Sequence, residues 1–426
     1  MIDTGAIVVT VRTHRDGGMP TTQIVNDRPS GLIANLLAKG VTDIRRTVSV
    51  LYGLCPIAHL SALDMAARAA RGESEAARRS ADHALFERGV ALEALLENLR
   101  VFLTDGPTLL GGSPVTETLR TLGRLRAQLM MVASLLVASP DVETTIAKAH
   151  QVITQTARDA ASLLETSLLG VSPAAFYAMD SEEVFTGWLT HTQTGTAALM
   201  RHLQSLPLGF GQVRTAHIPS LSGIGARALA DELYQRLRFE PHFDMMPVLD
   251  DRPQLTGAIV RQSAHPMLQA TLEAMDVVPL TLTLARLLDT ADLVQGLIAS
   301  DPQSAEVGTP DTARLPKLLS FSFPHQGGVG LVETARGLLT HARGWQPASD
   351  DAPQPFYAVT SPTEWQFAPG GPATDAVQNA FRALHHSKAL PTTSAAIAHT
   401  VRLALFGLDP CVPIRLSVNG VEQALR

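Results

Sequence analysis

The chain opens with β-branched and apolar residues from Ala6 to Val11 and a turn signal, Asp16-Gly17-Gly18. A second extended stretch follows from Thr21 to Val25. This pattern predicts a hairpin and a small N-terminal sheet. From Ser30 to about Gly72, and again from Ser80 to Leu103, apolar residues recur at helical spacing, with Gly72 placed to end the first run. Two longer helical patterns come next, Val115 to Ala138 behind Pro114 and Asp141 to Leu168 behind Ser139-Pro140. Side by side they predict a central helical bundle. Beyond Gly170 the texture shortens, with Gly- and Pro-rich stretches at Glu240 to Pro253 and Leu315 to Gly330, until a helical stretch from Asp375 to Leu390. No linker composition and no repeat period interrupts the chain. Residues 1–426 are therefore expected to form one mainly helical α+β domain.

Composition adds to the pattern. Hydrophobic residues make up 45% and charged residues 17%, enough apolar material for a large core and against a disordered chain. A net charge of −6 and a pI near 6.2 offer no basic field for a phosphate backbone, so nucleic acid is not an expected partner. Asp3 stands where a secretory signal would carry basic residues, and the most apolar run, Leu129 to Ala138, is too short to span a bilayer. A buried helix is expected there, with no membrane span. Two cysteines cannot staple a chain of 426 residues, which fits a cytoplasmic, reducing setting.

Each cysteine has a distinct setting. Cys55 precedes Pro56, a residue suited to the first turn of a helix, so it falls at a helix N-terminus, where amides and dipole favour a thiolate. His59 lies one turn further on. Cys411 sits in the turn-rich Gly407-Leu408-Asp409-Pro410-Cys411-Val412-Pro413. Taken alone, either is most simply a small buried hydrophobe.

Four segments, in order, resemble motifs of the nickel-iron hydrogenase large subunit. Gly53-Leu54-Cys55-Pro56-Ile57-Ala58-His59 resembles its first cysteine motif, Arg-x-Cys-Gly-x-Cys-Pro-x-Ala-His, and Val332-Glu333-Thr334-Ala335-Arg336-Gly337-Leu338-Leu339-Thr340-His341 its Glu-Ala-Pro-Arg-Gly-x-Leu-x-His. Tyr357-Ala358-Val359-Thr360-Ser361-Pro362-Thr363-Glu364-Trp365-Gln366-Phe367 is similar to its Pro-Thr-x-Trp-Asn segment, and Asp409-Pro410-Cys411 to its closing Asp-Pro-Cys-x-x-Cys. The resemblance covers almost the whole chain and implies a large-subunit-like fold.

It also implies a ligand set, and only half of that set survives. In the family, the first cysteine of each pair binds nickel and the second bridges nickel to iron. By that resemblance Cys55 matches a bridging ligand and Cys411 a nickel-terminal one, while Tyr52 and Ile414 stand in place of the others. Neither can replace a soft thiolate, so nickel is not expected. Thr4 replaces the proton-relaying glutamate of the family's early Arg-Ile-Glu-Gly motif, and the chain's end, Arg415 to Arg426, lacks the family's processing histidine. A non-catalytic role follows.

What the resemblance keeps is the iron side. Arg336, Pro362 and Thr363 match residues around the cyanide ligands of iron, Arg336 with permanently charged donors and Thr363 with a hydroxyl. His59 and Asp409 are expected behind the ligands. Non-catalytic hydrogenase formation proteins show this pattern. The implied cargo is iron with cyanide and carbonyl ligands, held transiently, with Cys55 the first candidate ligand and Cys411 the second; joint ligation of one iron is left open. The implied partners are the maturation proteins HypC and HypD and the nickel-iron hydrogenase large-subunit precursor. The alternative is a metal-free, protein-binding chaperone, which does not require Arg336 together with Cys55.

Other signals carry less. Gly223-Ile224-Gly225-Ala226-Arg227-Ala228 mimics a dinucleotide fingerprint but lacks a preceding buried strand, so a turn is expected. Asp64 falls off the helix face that would complete a hydrolase triad with Cys55 and His59. His265-Pro266 and His385-His386 are assigned no role.

Overall fold

The structure, a computed structural model, describes residues 5–14, 17–74, 81–138, 143–213, 216–219, 221, 225–274, 277–302, 314–346 and 353–423. The expected hairpin is present: β1 (Ile7–Arg12) pairs antiparallel with β2 (Thr21–Asn26). Two short strands, β3 (Ala216–His217) and β4 (Gln254–Leu255), pair in parallel. An antiparallel meander follows, β5 (Leu318–Phe323), β6 (Gly327–Thr334), β7 (Gly337–Gln346) and β8 (Gln354–Thr360). Near the carboxyl end, β9 (Ile414–Val418) lies parallel to β1, with β10 (Val421–Gln423) beyond it, so the first sheet runs β10-β9-β1-β2. The two ends of the described chain thus meet in one sheet.

The helices that frame the site are α1 (Pro56–Ala70), α2 (Ala81–Arg100), α3 (Thr116–Ala138), α4 (Glu143–Leu163), α5 (Val278–Ala299), α6 (Pro362–Gln366), α7 (Pro372–His386) and α8 (Ser394–Leu405). The stretch expected as one helical run from Ser30 is three helices, Leu32–Ala38, Ile44–Leu51 and α1. The break before α1 is the Tyr52–Cys55 turn, in which the Cys55 N–H donates to the Tyr52 carbonyl at 2.9 Å. Gly72, at φ 73°, sits just past the end of α1 in the left-handed conformation that glycine adopts freely. Both α2 and α4 run on into π-turns, Val101–Asp105 and Leu164–Leu169.

The region beyond Gly170 is more ordered than its texture suggested. α5 runs 22 residues with nearly every side chain buried. A helix buried nearly all round leaves no amphipathic stripe to detect. It packs on α2 and α4 in the bundle core, and the apolar cluster continues through α7 and α8. α3 differs from the buried helix expected. Leu125, Leu129, Val132, Ala133 and Leu136 face inward while Met130 and Met131 are exposed. It is long and apolar enough to cross a membrane by length and composition, and only 28% of its most apolar window is buried.

All eight residues of β6 are buried, and glycine explains how. A Cβ on Gly328 would lie 2.2 Å from the Ala66 carbonyl oxygen, and one on Gly330 2.4 Å from that of Ala62. The strand therefore rests directly on the backbone of α1, which fixes the meander against the helix that begins at Cys55.

Candidate functional site

Cys55 is the N-cap of α1. The amide groups expected to favour a thiolate are already engaged: Ile57 N–H donates to Glu93 Oε2 at 2.7 Å and Ala58 N–H to Glu93 Oε1 at 3.2 Å. Burial, with the nearby Glu93 and Cys411 adding to it, pushes the Cys55 thiol well above its ordinary range. The expectation of a helix-stabilised thiolate is thus corrected: burial and the occupied amides favour the thiol form of this sulfur. Burial also raises Glu93 to about 8, against the lowering pull of the two amides.

Arg336 reaches the same place from the meander. Ala335 and Arg336 form the two-residue tip between β6 and β7, where Thr334 faces Gly337. A buried tip must satisfy its backbone internally. The Arg336 and Gly337 N–H groups both donate to Thr334 Oγ1 at 3.3 Å, and the Arg336 carbonyl accepts from Gln366 at 3.1 Å. Its guanidinium donates from Nη2 to Glu97 at 3.0 Å and from Nε to the Asp409 carbonyl at 2.9 Å.

These contacts belong to a buried network. Glu97 also meets Arg126 and Arg100, and Asp409 meets Arg100 at 3.1 Å and Arg286 at 3.0 Å. Burial works against ionising either carboxylate. Arg336 with Arg126 and Arg100 nevertheless holds Glu97 below its usual range, and Arg336 with Arg286 and Arg100 does the same for Asp409. Asp409 has φ 39°, a conformation tolerated by aspartate, which turns the chain toward Cys411.

Cys411 is joined to α6. The Thr363 hydroxyl lies 3.2 Å from Cys411 Sγ and accepts from the Cys411 N–H at 3.2 Å. Pro362 is the first residue of α6, and Ser361 and Glu364 close its N-terminus with a capping box. Arg28 pairs with Glu364 behind it.

Cys55, His59, Glu93, Glu97, Arg336, Pro362, Thr363 and Cys411 thus line one cavity of about 20 Å³, room for about one water. The structure brings together every expected residue except Asp409, which stands behind Arg336. Tyr52 and Ile414 do not line it. Tyr52 stacks on His59 with ring centroids 3.6 Å apart and faces a neighbouring pocket, while Ile414 faces an open apolar cleft of about 460 Å³. Cys411 lines both cavity and cleft.

His59 does more than sit near the sulfur. Its Nδ1 is 3.0 Å from His341 Nε2, and His341 Nδ1 is 2.7 Å from the Tyr357 hydroxyl. Burial keeps both rings neutral, driving His59 well below its ordinary range and His341 to about 3. Among the described residues no group of three or more His, Cys, Asp or Glu is arranged to hold a metal ion. Two thiols suit a group that arrives with ligands of its own better than a bare ion, which needs about four protein donors.

Sequence reasoning missed Glu93 and Glu97, and gave His341, the last residue of the second motif, no role. Glu93 and Glu97 are carboxylates one turn apart in the run Val90 to Leu99, apolar apart from them and Asn98, a signal that was available. Of the signals set aside, Asp64 pairs with Arg45, and His265 Nε2 lies 2.9 Å from the Tyr177 carbonyl. Gly223 and Ile224 of the fingerprint-like run lie outside the described residues, as do Thr4 and the last three residues; Ala226 opens a helix.

Comparison with solved structures defines the class. The fold is similar to that of a chain in NAD+-reducing [NiFe]-hydrogenase in the H2-reduced state, with a TM-score of 0.52 and 16% identity over 93% of this chain and 92% of that one. It is a nickel-iron hydrogenase large-subunit-like fold, mainly helical α+β. Among curated proteins, the chain is 30% identical over 193 residues to the hydrogenase expression/formation protein HupK of Rhizobium leguminosarum bv. viciae, 45% of this chain and 46% of that protein. The match spans about half the length of that relative. No protein-family model matches the chain. Both similarities bear out the resemblance read from the motifs.

Proposed function

We propose that this chain is a non-catalytic hydrogenase maturation protein of the HupK (also called HoxV) type. In this reading it is a scaffold that takes an iron group with two cyanides and one carbonyl as cargo and passes it to the nickel-iron hydrogenase large-subunit precursor. The similarity to a hydrogenase expression/formation protein supports the general role. The finer reading is carried by one observation: Cys55, Arg336, Thr363 and Cys411, from four distant segments, surround a single cavity.

The residues have separable tasks in this reading. Cys55 and Cys411 supply thiolate ligands to iron once deprotonated. Arg336 and Thr363 donate toward cyanide, and Pro362 shapes that wall. His59 and Asp409 hold the ligand-bearing segments. Arg336 is committed to Glu97 and Asp409, and Thr363 to Cys411, so loading requires the cavity to widen and some of these bonds to be exchanged. With Tyr52 and Ile414 in place of thiolates, nickel is not retained. The donors are HypC and HypD, and the setting is cytoplasmic.

A second reading has a specific observation behind it. A cavity of about 20 Å³ with a protonated Cys55 also fits a metal-free chaperone that only binds the precursor. An infrared spectrum of protein purified anaerobically from its host, with iron counted alongside, separates the two. Two cyanide bands and one carbonyl band, lost in Cys55→Ala, are expected. A blank spectrum from folded protein favours the chaperone, and stoichiometric nickel would overturn the reading of Tyr52 and Ile414.

A further inference from the structure

Two described spaces adjoin the cavity that holds Cys55 and Cys411, and they differ in size and in lining. One shares Ser361 with it, is also lined by Arg28, Tyr52 and Glu364, and has a volume of about 40 Å³, room for about three waters. A buried pair shuts it. Arg28 donates to Ser361 Oγ at 3.1 Å and pairs with Glu364, their side chains only 13% and 5% exposed. Parting them would leave a buried charge uncompensated. The other space shares Cys411 and is the cleft of about 460 Å³.

The cleft runs between separate parts of the fold. Thr108 and Leu109 line it from the turn beyond the end of α2, Val401 and Leu405 from α8, and Ile414 from the start of β9. Leu54, the residue before Cys55, also lines it, whereas Cys55 itself does not. Three of its four charged residues answer one another: Arg100 donates to Asp105 at 3.2 Å and to Asp409 at 3.1 Å. The rest of the wall is mainly apolar.

The proposed cargo suits such a passage. Iron(II) balances two cyanides and the carbonyl is neutral, so the group carries no net charge. A neutral group crosses apolar walls without the desolvation penalty that an ion incurs. With three diatomic ligands it is also much larger than a water, so it needs the wider of the two approaches. Cys411 stands at the inner end of that approach. Its side chain belongs to both spaces, and rotation about a single Cα–Cβ bond moves a cysteine sulfur between staggered positions.

We infer, resting on the scaffold reading of the site, that the apolar cleft is the port by which the iron group enters the cavity, with Cys411 the first thiol it meets and Cys55 the second. Capture at Cys411 is an exchange. The bond from iron to a thiolate of the delivering protein breaks, a bond from iron to Cys411 Sγ forms, and the Cys411 proton leaves on the displaced thiolate. Iron stays iron(II), so no oxidant or reductant takes part. Cys55 is reached only after the group has passed Cys411.

The test uses the full-length chain purified anaerobically from its host, with circular dichroism as the check on folding. Thr108→Trp fills the cleft without altering either cysteine, and Ala34→Trp fills the smaller pocket behind Ser361. Thr108→Trp is expected to slow iodoacetamide labelling of Cys411 in iron-free chain at least tenfold. It is also expected to lower iron per chain at least tenfold, with loss of the two cyanide bands and the carbonyl band from the infrared spectrum. Ala34→Trp is expected to keep bands and iron at the parental level. If Thr108→Trp does not fold, or leaves the labelling rate unchanged, Ile414→Trp plugs the same cleft from β9. The port is overturned if a variant with slowed labelling loads like the parent, or if Ala34→Trp alone loses the bands. A parent chain without the bands overturns the scaffold reading itself, and the port falls with it; a port that fails alone leaves the parental spectrum intact.

Discussion

The wall of the cavity that holds Cys55 and the wall that holds Cys411 are built on opposite electrostatic principles. On the Cys55 side, Glu93 is buried with two backbone amides as its hydrogen-bond donors and no guanidinium bonded to it among the described residues, and burial raises it to about 8. One turn along α2, Glu97 faces Arg336, Arg126 and Arg100 and is held ionised, as is Asp409 on the Cys411 side. Two carboxylates on one helix face therefore differ in charge because one is surrounded by guanidiniums and the other is not. Burial alone does not decide the state of a buried acid; its partners do.

The largest expected effect comes from breaking the charged wall. Arg336→Met leaves Glu97 and Asp409 short of a cation in a buried site, and destabilisation of about 3–5 kcal/mol is expected. Urea denaturation followed by circular dichroism measures it. A change below about 1 kcal/mol would show that Arg126, Arg100 and Arg286 neutralise the site without Arg336.

The Cys55 wall is expected to answer to pH in the other direction. The folded-state pKa of Glu93, about 8, lies above its ordinary 4.5, so between those values the folded chain keeps a proton that the unfolded chain has lost. Stability from this group is full below about 4.5 and declines as pH rises to about 8. Glu97 and Asp409, with depressed pKa values, contribute stability above the usual carboxylate range and lose it in acid. Glu93→Gln keeps an acceptor for Ile57 and Ala58 and is expected to flatten the decline between pH 5 and 8 while sparing the acid limb. An unchanged denaturation midpoint profile would remove Glu93 from the account.

Much of this contrast was legible in the sequence, but unevenly. Cys55, His59, Arg336, Pro362, Thr363 and Cys411 stood in recognisable motifs, and three of those six, Cys55, His59 and Cys411, come from segments that pattern alone placed at a helix start or a turn. The hairpin of β1 and β2 was readable because its alternation is local, whereas β9 joins β1 from the far end of the chain, and no local period reports such a pairing. α5 escaped because a helix buried all round has no amphipathic stripe. Glu93 and Glu97 escaped for a different reason. Their spacing was visible, but their opposite charge states depend on arginines 3 to 239 positions from Glu97 in the chain, which only the fold assembles.

Reactivity sharpens the same contrast at the sulfurs. Both sulfurs belong to partly buried residues, but Cys411 opens on a cleft of about 460 Å³, whereas Cys55 lines the cavity of about 20 Å³ and has its thiol pushed upward by burial. Since the thiolate is the nucleophile, iodoacetamide at pH 8 is expected to label Cys411 at least tenfold faster than Cys55 in the folded chain. Peptide mass spectrometry against time reads both rates at once. Equal rates would mean that the two walls breathe together and that the contrast does not hold in solution.

The smallest expected effect tests the link between the walls. Thr363 is the side chain that ties Cys411 to α6, accepting from its N–H and touching its sulfur, each at 3.2 Å. Thr363→Val keeps the shape and deletes both contacts, leaving the Cys411 N–H without its acceptor, so a loss of about 1 kcal/mol is expected. Because that N–H belongs to the strap between α8 and β9, the loss should loosen Cys411 locally and raise its labelling rate severalfold while Cys55 stays slow. If both sulfurs sped up together, Thr363 would be holding the whole cavity closed and not only the Cys411 wall. In that case the cavity would open as one unit, and the entry of any cargo would depend on α6 moving away from the strap.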